Sequence, residues 1–347
     1  MTTIRNRFTG QRGRLVETLF PAGVPPALTH YAEGGQIDRA RIRAHVGSMQ
    51  PWVKAFLVPG STGEGWEMDD AEILDLLEVF IGEIRDVNGH LLIGILKTNA
   101  VEAAESIACT LSLLKSRTGA DGSAESLTKS GICGFTVCPP SGRDLSQETI
   151  QAALSNILAL GVPTSLYQLP QVTENEMSPE TLDALASRYP NFYLFKDTSG
   201  ADRAAKAGFR EAFLVRGAEG DYAQQLAEGG GIYDGFLLST ANCFGKQLAQ
   251  LIGGLSESSK TEAETFSGAL SALWEALFPL AGQVGYGNAF TNINKAIDHY
   301  MAHGPQAADV APPLLHSGKR LPHQLISAAG EELQRYGLMP EKGYLRG

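Results

Sequence analysis

Residues 162–200, VPTSLYQLPQVTENEMSPETLDALASRYPNFYLFKDTSG, hold two short apolar runs, 164–169 and 192–195, on either side of a helix-like stretch, 179–187. Ser178-Pro179 sets a capping hydroxyl and a first-turn proline at the head of that stretch. Strand, helix and strand in this order read as one βαβ unit, and such a crossover makes the two strands parallel. Each strand carries a reactive side chain near its C-terminal end, Tyr167 in the first and Lys196 in the second.

The same alternation extends in both directions. Apolar runs occur at 24–28, 55–58, 91–96, 134–138, 164–169, 192–195, 213–215 and 233–238, with helical periodicity at 69–84, 101–114, 147–159, 179–187 and 221–228. Asp69-Asp70 and Ser146 with Glu148 supply helix starts. Eight strand–helix repeats argue for closure into an α/β fold of the (β/α)₈ TIM-barrel type. We expect the barrel over 15–255, an Arg-rich N-terminal arm over 1–14, and a helical appendage over 256–347 with helices at 261–281, 288–302 and 327–336. The polar, turn-rich stretch 116–131 reads as a surface insertion, and 304–322 as a connection.

The chain has 347 residues, 43% hydrophobic and 19% charged, enough apolar material for a large core. A net charge of -10 offers no general attraction to phosphate backbones or anionic lipid, so nucleic acid and membrane are not expected partners. Arg5, Arg7, Arg12 and Arg14 precede no signal-peptide core, and no long apolar run occurs, so we expect a cytoplasmic protein. Cys109, Cys133, Cys138 and Cys243 form no CxxC pair and read as reduced thiols. His299 and His303 lie i, i+4 on a helix but have no third ligand in the pattern, so no metal is assigned.

In such a barrel the active site forms where the strands end, because the βα loops converge there. Five segments meet at that rim: Gly60-Ser61-Thr62-Gly63-Glu64, Tyr167-Gln168-Leu169-Pro170, Lys196-Asp197-Thr198-Ser199-Gly200, Gly217-Ala218-Glu219-Gly220 and Ser239-Thr240-Ala241-Asn242. A lysine in an apolar strand pays a desolvation cost as an ammonium, which favours the neutral amine that attacks a carbonyl. The structural alternative is a lysine paired with Asp197 or Glu219. Tyr167 offers a phenol on the neighbouring strand for proton transfer. The 60–64 loop offers turned backbone N–H groups and two hydroxyls suited to a carboxylate, without the Gly-Lys-Ser/Thr of a phosphate loop.

From about residue 15 to about residue 339 the chain resembles the dihydrodipicolinate synthase and N-acetylneuraminate lyase family of Schiff-base aldolases. Residues 60–64 resemble its G-[ST]-T-G-E loop, 167–170 its Y-N-x-P and 196–200 its K-D-[ST]-S-G, in that order. The resemblance implies that Lys196 forms an imine with pyruvate or another 2-oxo acid, and that Tyr167 moves protons. It implies that Ser61 and Thr62, in their Gly60 and Gly63 turn, hold the carboxylate, with a hydroxyl orienting Tyr167. It implies no metal or organic cofactor, and a homotetramer or homodimer. Two departures bear on the second substrate, an aldehyde or sugar-acid portion. Cys138-Pro139-Pro140-Ser141 stands where the synthase has a proline and paired tyrosines, and Val172 where it has a carboxylate-binding arginine. Glu219 and Ser239 are the candidate contacts for that portion, and Gln168 with Glu219 leaves a polar site that suits a hydroxylated molecule. Carbon–carbon cleavage or condensation is the leading expectation. A deoxy-oxo sugar-acid dehydratase using the same imine, and a non-catalytic metabolite-binding homologue, are the alternatives.

Overall fold

The computed structural model describes residues 10–19, 23–255 and 260–346. Seven parallel strands form one sheet in chain order: β1 (Ala55–Val58), β2 (His90–Ile95), β3 (Ile132–Val137), β4 (Thr164–Gln168), β5 (Phe192–Asp197), β6 (Phe213–Arg216) and β7 (Gly235–Phe236). The first of the eight expected strands, 24–28, is present only as bridges. Gly23 pairs with Phe236 of β7 and Pro26 with Leu57 of β1, so this segment spans the gap and closes the barrel. Its ladder is sparse because Pro25 and Pro26 have no N–H to donate. The bonds it does make are Val24 N–H to Phe236, Ala27 N–H to Leu57 and Leu57 N–H to the Pro25 carbonyl.

The helices are α1 (Gly10–Leu19), α2 (Arg39–Met49), α3 (Asp70–Asp86), α4 (Ala100–Thr118), α5 (Ser123–Lys129), α6 (Gln147–Leu158), α7 (Pro179–Arg188), α8 (Ala241–Gly254), α9 (Lys260–Gly282), α10 (Ala289–His303) and α11 (His323–Arg335). Single helical turns stand at Pro170–Thr173, Arg203–Lys206 and Tyr222–Gln225. Asp69 and Glu72 close a reciprocal capping box on α3, and Ser146 and Ser178 cap α6 and α7. The buried faces of α2, α3, α4, α6 and α7 pack on the outer face of the sheet: Val46, Phe80, Ile107, Leu154 and Leu185 join Phe56, Ile93, Phe135 and Phe195.

Three expectations need revision. Residues 10–14, read as part of the arm, are the first turns of α1; residues 1–9 lie outside the described residues. Val16 and Leu19 of α1 are buried with Ala55, Tyr193 and Phe213, near the N-terminal ends of the strands, so the helix plugs the barrel there. The 116–131 stretch is the end of α4 and the amphipathic α5 rather than loop, with Gly119 in a left-handed C-cap and Leu127 buried. Residues 221–228 form one α-helical turn followed by a 3₁₀ turn. The C-terminal helices carry their own core, in which Leu270, Leu277, Ile293 and Leu333 pack with Phe236, Leu238 and Phe244, so they are fused to the closing side of the barrel. Among the described residues no helix is long and apolar enough to cross a membrane.

Candidate active site

β4 and β5 are in register with Tyr167 opposite Lys196. Neighbouring residues of parallel strands face the same side, so both side chains point into the barrel. Lys196 is 4% exposed, and its Nζ lies 3.9 Å from the centre of the Tyr167 ring. Burial lowers its pKa from the ordinary lysine value to about 7, against weaker opposing pulls from Cys138 and Glu219.

The carboxylates nearest to neutralising it are engaged elsewhere. Asp197 accepts from the Ser199 N–H at 2.9 Å and the Tyr233 hydroxyl at 3.3 Å. Glu219 is saturated: it accepts from the Ser239 hydroxyl, from the Thr240 N–H and hydroxyl at 3.1 and 2.7 Å, and from the Tyr222 hydroxyl at 3.0 Å. Among the described residues no carboxylate lies within ion-pair distance of Lys196. Gly217 gives the lysine its room: a Cβ there would sit 2.7 Å from Lys196 Cε and 2.2 Å from Thr198 Oγ1.

Tyr167 is 2% exposed, and burial raises its pKa above the ordinary phenol value while the facing hydroxyls of Ser61 and Thr198 pull it down. Ser61 Oγ in turn accepts from the Trp66 indole N–H at 2.9 Å. Indole is a donor only, so this bond leaves the single hydroxyl proton of Ser61 free to be directed at the phenol oxygen.

The loop after β1 is a tight turn in which the N–H groups of Gly63, Glu64 and Gly65 are spent on Gly60 and Ser61 carbonyls. Among the described residues the Ser61 and Thr62 N–H groups meet no acceptor. Gly63 is required because the turn lies on the closing segment, where a Cβ would meet the Ala27 carbonyl at 2.3 Å. Thr29 donates to the Gly63 carbonyl at 2.8 Å, while α10 reaches over the rim, with Asn288 donating to Ser61 O at 3.0 Å and Thr291 to Thr62 O at 2.9 Å. Glu64 is buried in an ion pair with Lys295 of α10 and accepts the His316 N–H at 2.8 Å.

Pro26, Ser61, Thr62, Tyr167, Leu169, Lys196, Thr198, Gly217, Leu237, Ser239 and Phe290 line a narrow cleft at this rim. The fold thus brings together Lys196, Tyr167, Ser61, Thr62 and Ser239, while Gly60 and Gly63 shape the turn behind them. Glu219 lies behind Ser239 and is not part of the lining. Gln168 faces the helix layer, as alternation along the strand requires, and its Oε1 accepts the Met177 N–H at 2.8 Å. His299 donates from Nε2 to the Ala307 carbonyl, 2.9 Å away. Four contributors escaped the sequence reading. Trp66 and Gly217 lie within or beside quoted motifs, Leu237 sits in a quoted strand, and Phe290 arrives from a C-terminal helix with no local pattern to announce it.

A model of the dihydrodipicolinate synthetase family matches residues 21–286. The chain belongs to that family. Among curated members of the dihydrodipicolinate synthetase family, the 4-hydroxy-tetrahydrodipicolinate synthase of Agrobacterium fabrum is 25% identical over 272 residues, covering 77% of this chain and 86% of that one. Dihydrodipicolinate synthase from Aquifex aeolicus superposes with a TM-score of 0.70 at 17% identity, covering 92% of this chain and 99% of that one. A prophage protein of the family from E. coli K12, solved in complex with pyruvate, gives 0.68 at 18%, covering 91% and 98%. At these identities the structural likenesses carry the fold, and the low values make this chain a divergent member. Members of the family are lyases.

Proposed function

We propose that the protein is a Schiff-base lyase that binds pyruvate or a closely related 2-oxo acid on Lys196 and cleaves or forms the carbon–carbon bond beside it. The observation that carries this reading is the buried Lys196 amine, without a counter-charge and beside the Tyr167 phenol. A lysine whose pKa burial draws down to about 7, so that a large share is free amine near neutral pH, is the group that imine chemistry needs.

The 2-oxo acid carboxylate sits on the 60–64 turn, held by the Ser61 and Thr62 N–H groups and the Thr62 hydroxyl. This places the carbonyl carbon at Lys196 Nζ, and the amine attacks it with loss of water to form the imine. Tyr167 gives its phenol proton to the hydroxide that departs as this water, leaving a phenolate beside the cationic imine, and in the cleavage direction that phenolate takes the proton of the C4 hydroxyl. The C3–C4 electron pair passes into the imine to give an enamine, and C4 leaves as an aldehyde. Tyr167 then returns the proton to C3, and water releases the 2-oxo acid and the amine. Condensation is the same path reversed. Ser61, fixed by Trp66, donates to Tyr167 whenever the phenol oxygen carries charge. Ser239 contacts the second substrate from the cavity wall, and Glu219 fixes its rotamer.

Borohydride reduction in the presence of pyruvate tests this reading. A stable pyruvyl mass on Lys196 is expected, absent in Lys196→Met. No adduct, or one on another lysine, sinks it. Release of pyruvate from a 4-hydroxy-2-oxo acid distinguishes cleavage from dehydration.

A further inference from the structure

The loop that follows β6 carries Gly217 beside Lys196 and Glu219 behind Ser239. Gly217 is fixed by the sheet, its N–H donating to the Asp197 carbonyl at 2.7 Å. Beyond it the chain leaves the ladder, and one side chain gathers it. Arg216, the last residue of β6, is buried, and its Nη1 donates to the Ala218 and Gly220 carbonyls at 2.8 and 2.6 Å, with the Glu219 carbonyl 3.4 Å away. Three carbonyl dipoles turned toward one point repel one another unless a cation sits between them. Gly220 and Asp221, at φ of 91° and 50°, complete this tight left-handed turn. The guanidinium is anchored from behind: its Nε lies 3.8 Å from the buried Asp202 carboxylate, which accepts the Tyr233 hydroxyl at 2.7 Å.

The turn sets the polarity of the cleft wall. Glu219 Oε1 accepts from the Ser239 hydroxyl and the Thr240 N–H, and Oε2 from the Thr240 and Tyr222 hydroxyls. A serine hydroxyl has one proton, and that of Ser239 is spent on Glu219. Toward the cleft it therefore offers lone pairs only, which take a hydrogen bond from a substrate O–H. Were the turn to relax, Glu219 would withdraw and Ser239 would be free to rotate its proton into the cleft.

We infer that Arg216, which lines no part of the cleft, is a positioning residue for the second substrate. By folding the 217–220 turn it seats Glu219, and through Glu219 it keeps Ser239 an acceptor for a hydroxyl on the aldehyde portion. This rests on the imine reading above, which the Lys196–pyruvate adduct tests by itself.

The test is condensation of pyruvate with glyceraldehyde or with propanal, which lacks the hydroxyls, using the full-length protein. The parent is expected to favour glyceraldehyde in kcat/KM by about tenfold or more. Arg216→Lys keeps the charge, but a lone ammonium cannot span the carbonyls and Asp202 together as the guanidinium fork does. It is expected to trap pyruvate on Lys196 at the parental rate, to raise KM for glyceraldehyde about tenfold, and to leave kcat/KM for propanal within about twofold. Glu219→Gln, which leaves the Arg216 bonds in place, is expected to show the same selective loss, and the double variant little more than either single one. It also carries the test where Arg216→Lys does not fold. Glyceraldehyde kinetics unchanged in Arg216→Lys, a loss shared equally by propanal, additive losses in the double variant, or a parent that traps pyruvate without favouring glyceraldehyde overturns the inference. Failure of the parent to form the Lys196 adduct removes the imine reading and this inference together.

Discussion

On the proposed function, Lys196 serves chemistry at the expense of stability. Its pKa near 7 in the folded protein lies below the value near 10.5 of an unfolded lysine, so folding releases a proton and the site destabilises the fold most below pH 7. That penalty fades as pH rises toward 10.5. Lys196→Met is therefore expected to melt a few degrees higher than the parent at pH 6.5, with the difference shrinking by pH 9.5, while all pyruvate trapping is lost; melting curves at the two pH values check this. Trapping in the parent should accelerate as pH climbs through about 7 and then level, because only the free amine attacks. Trp66 acts one step further out. Trp66→Phe keeps the ring and removes the indole proton, freeing Ser61 to turn away from Tyr167. We expect kcat to fall about threefold to tenfold, the basic limb of the pH profile to move, and Ser61→Ala to add little in the Trp66→Phe background, since both break one chain. Independent, additive losses would separate Trp66 from the proton path.

Between elements, the decisive joint is the one that fastens the 60–64 turn to α10. Lys295 and Glu64 are fully buried as a pair, and burial lowers the lysine pKa while the carboxylate beside it pulls the other way. Lys295→Met strands a buried carboxylate and is expected to cost about 3–5 kcal/mol, with weaker pyruvate binding as the turn shifts; Lys295→Met with Glu64→Gln should recover much of it. Chemical denaturation of the single and double variants measures both. Such joints mark the limit of what the sequence makes legible. Most strands were readable because Val, Ile, Leu and Phe cluster in short runs, and Lys196, Tyr167, Ser61 and Thr62 were readable because each abuts such a run. The closing segment was misjudged because its prolines sit in an otherwise strand-like run and thin its ladder to single bridges. α5 was hidden by small polar residues whose single buried apolar contact, Leu127, gives a weak periodicity. Phe290 and the α10 contacts to the turn depend on tertiary packing across more than 200 positions of chain, which no local pattern encodes.

At the scale of the molecule, the barrel is sealed at one end by α1 and bound along its closing side to the C-terminal region by a buried polar cluster. Asp298 of α10 accepts from Arg41 of α2 at 2.7 Å and from the Tyr344 hydroxyl at 2.9 Å. His45 stacks on Tyr344 and lies 3.6 Å from Asp298, while its Nδ1 meets His30 Nε2 at 3.1 Å and its Nε2 meets the Asn242 carbonyl at 3.0 Å. One cluster thus joins the segment after the closing bridges, α2, α8, α10 and the chain's last turn. Burial lowers the pKa of both histidines; Arg41, and for His30 also His45 and Lys295, push the same way, whereas Asp298 opposes this at His45. The folded state therefore holds them neutral where an unfolded chain would begin to protonate below about pH 6.5, so stability is full above that value and is lost as pH falls through it. Melting temperature should decline steeply from pH 7 to pH 5, and His45→Gln, which keeps a polar side chain without the titration, should flatten that decline. An equally steep decline in His45→Gln would place the acid sensitivity elsewhere, with His303, lowered to about 4 by burial and by His299, the next group to replace. Because α10 carries Asp298 at one end and Asn288, Phe290 and Thr291 at the other, protonation of this cluster should also loosen the rim of the site, and weaker pyruvate trapping at pH 5.5 in the parent than in His45→Gln, after correction for the amine fraction, is the measurement that connects the two ends of the helix.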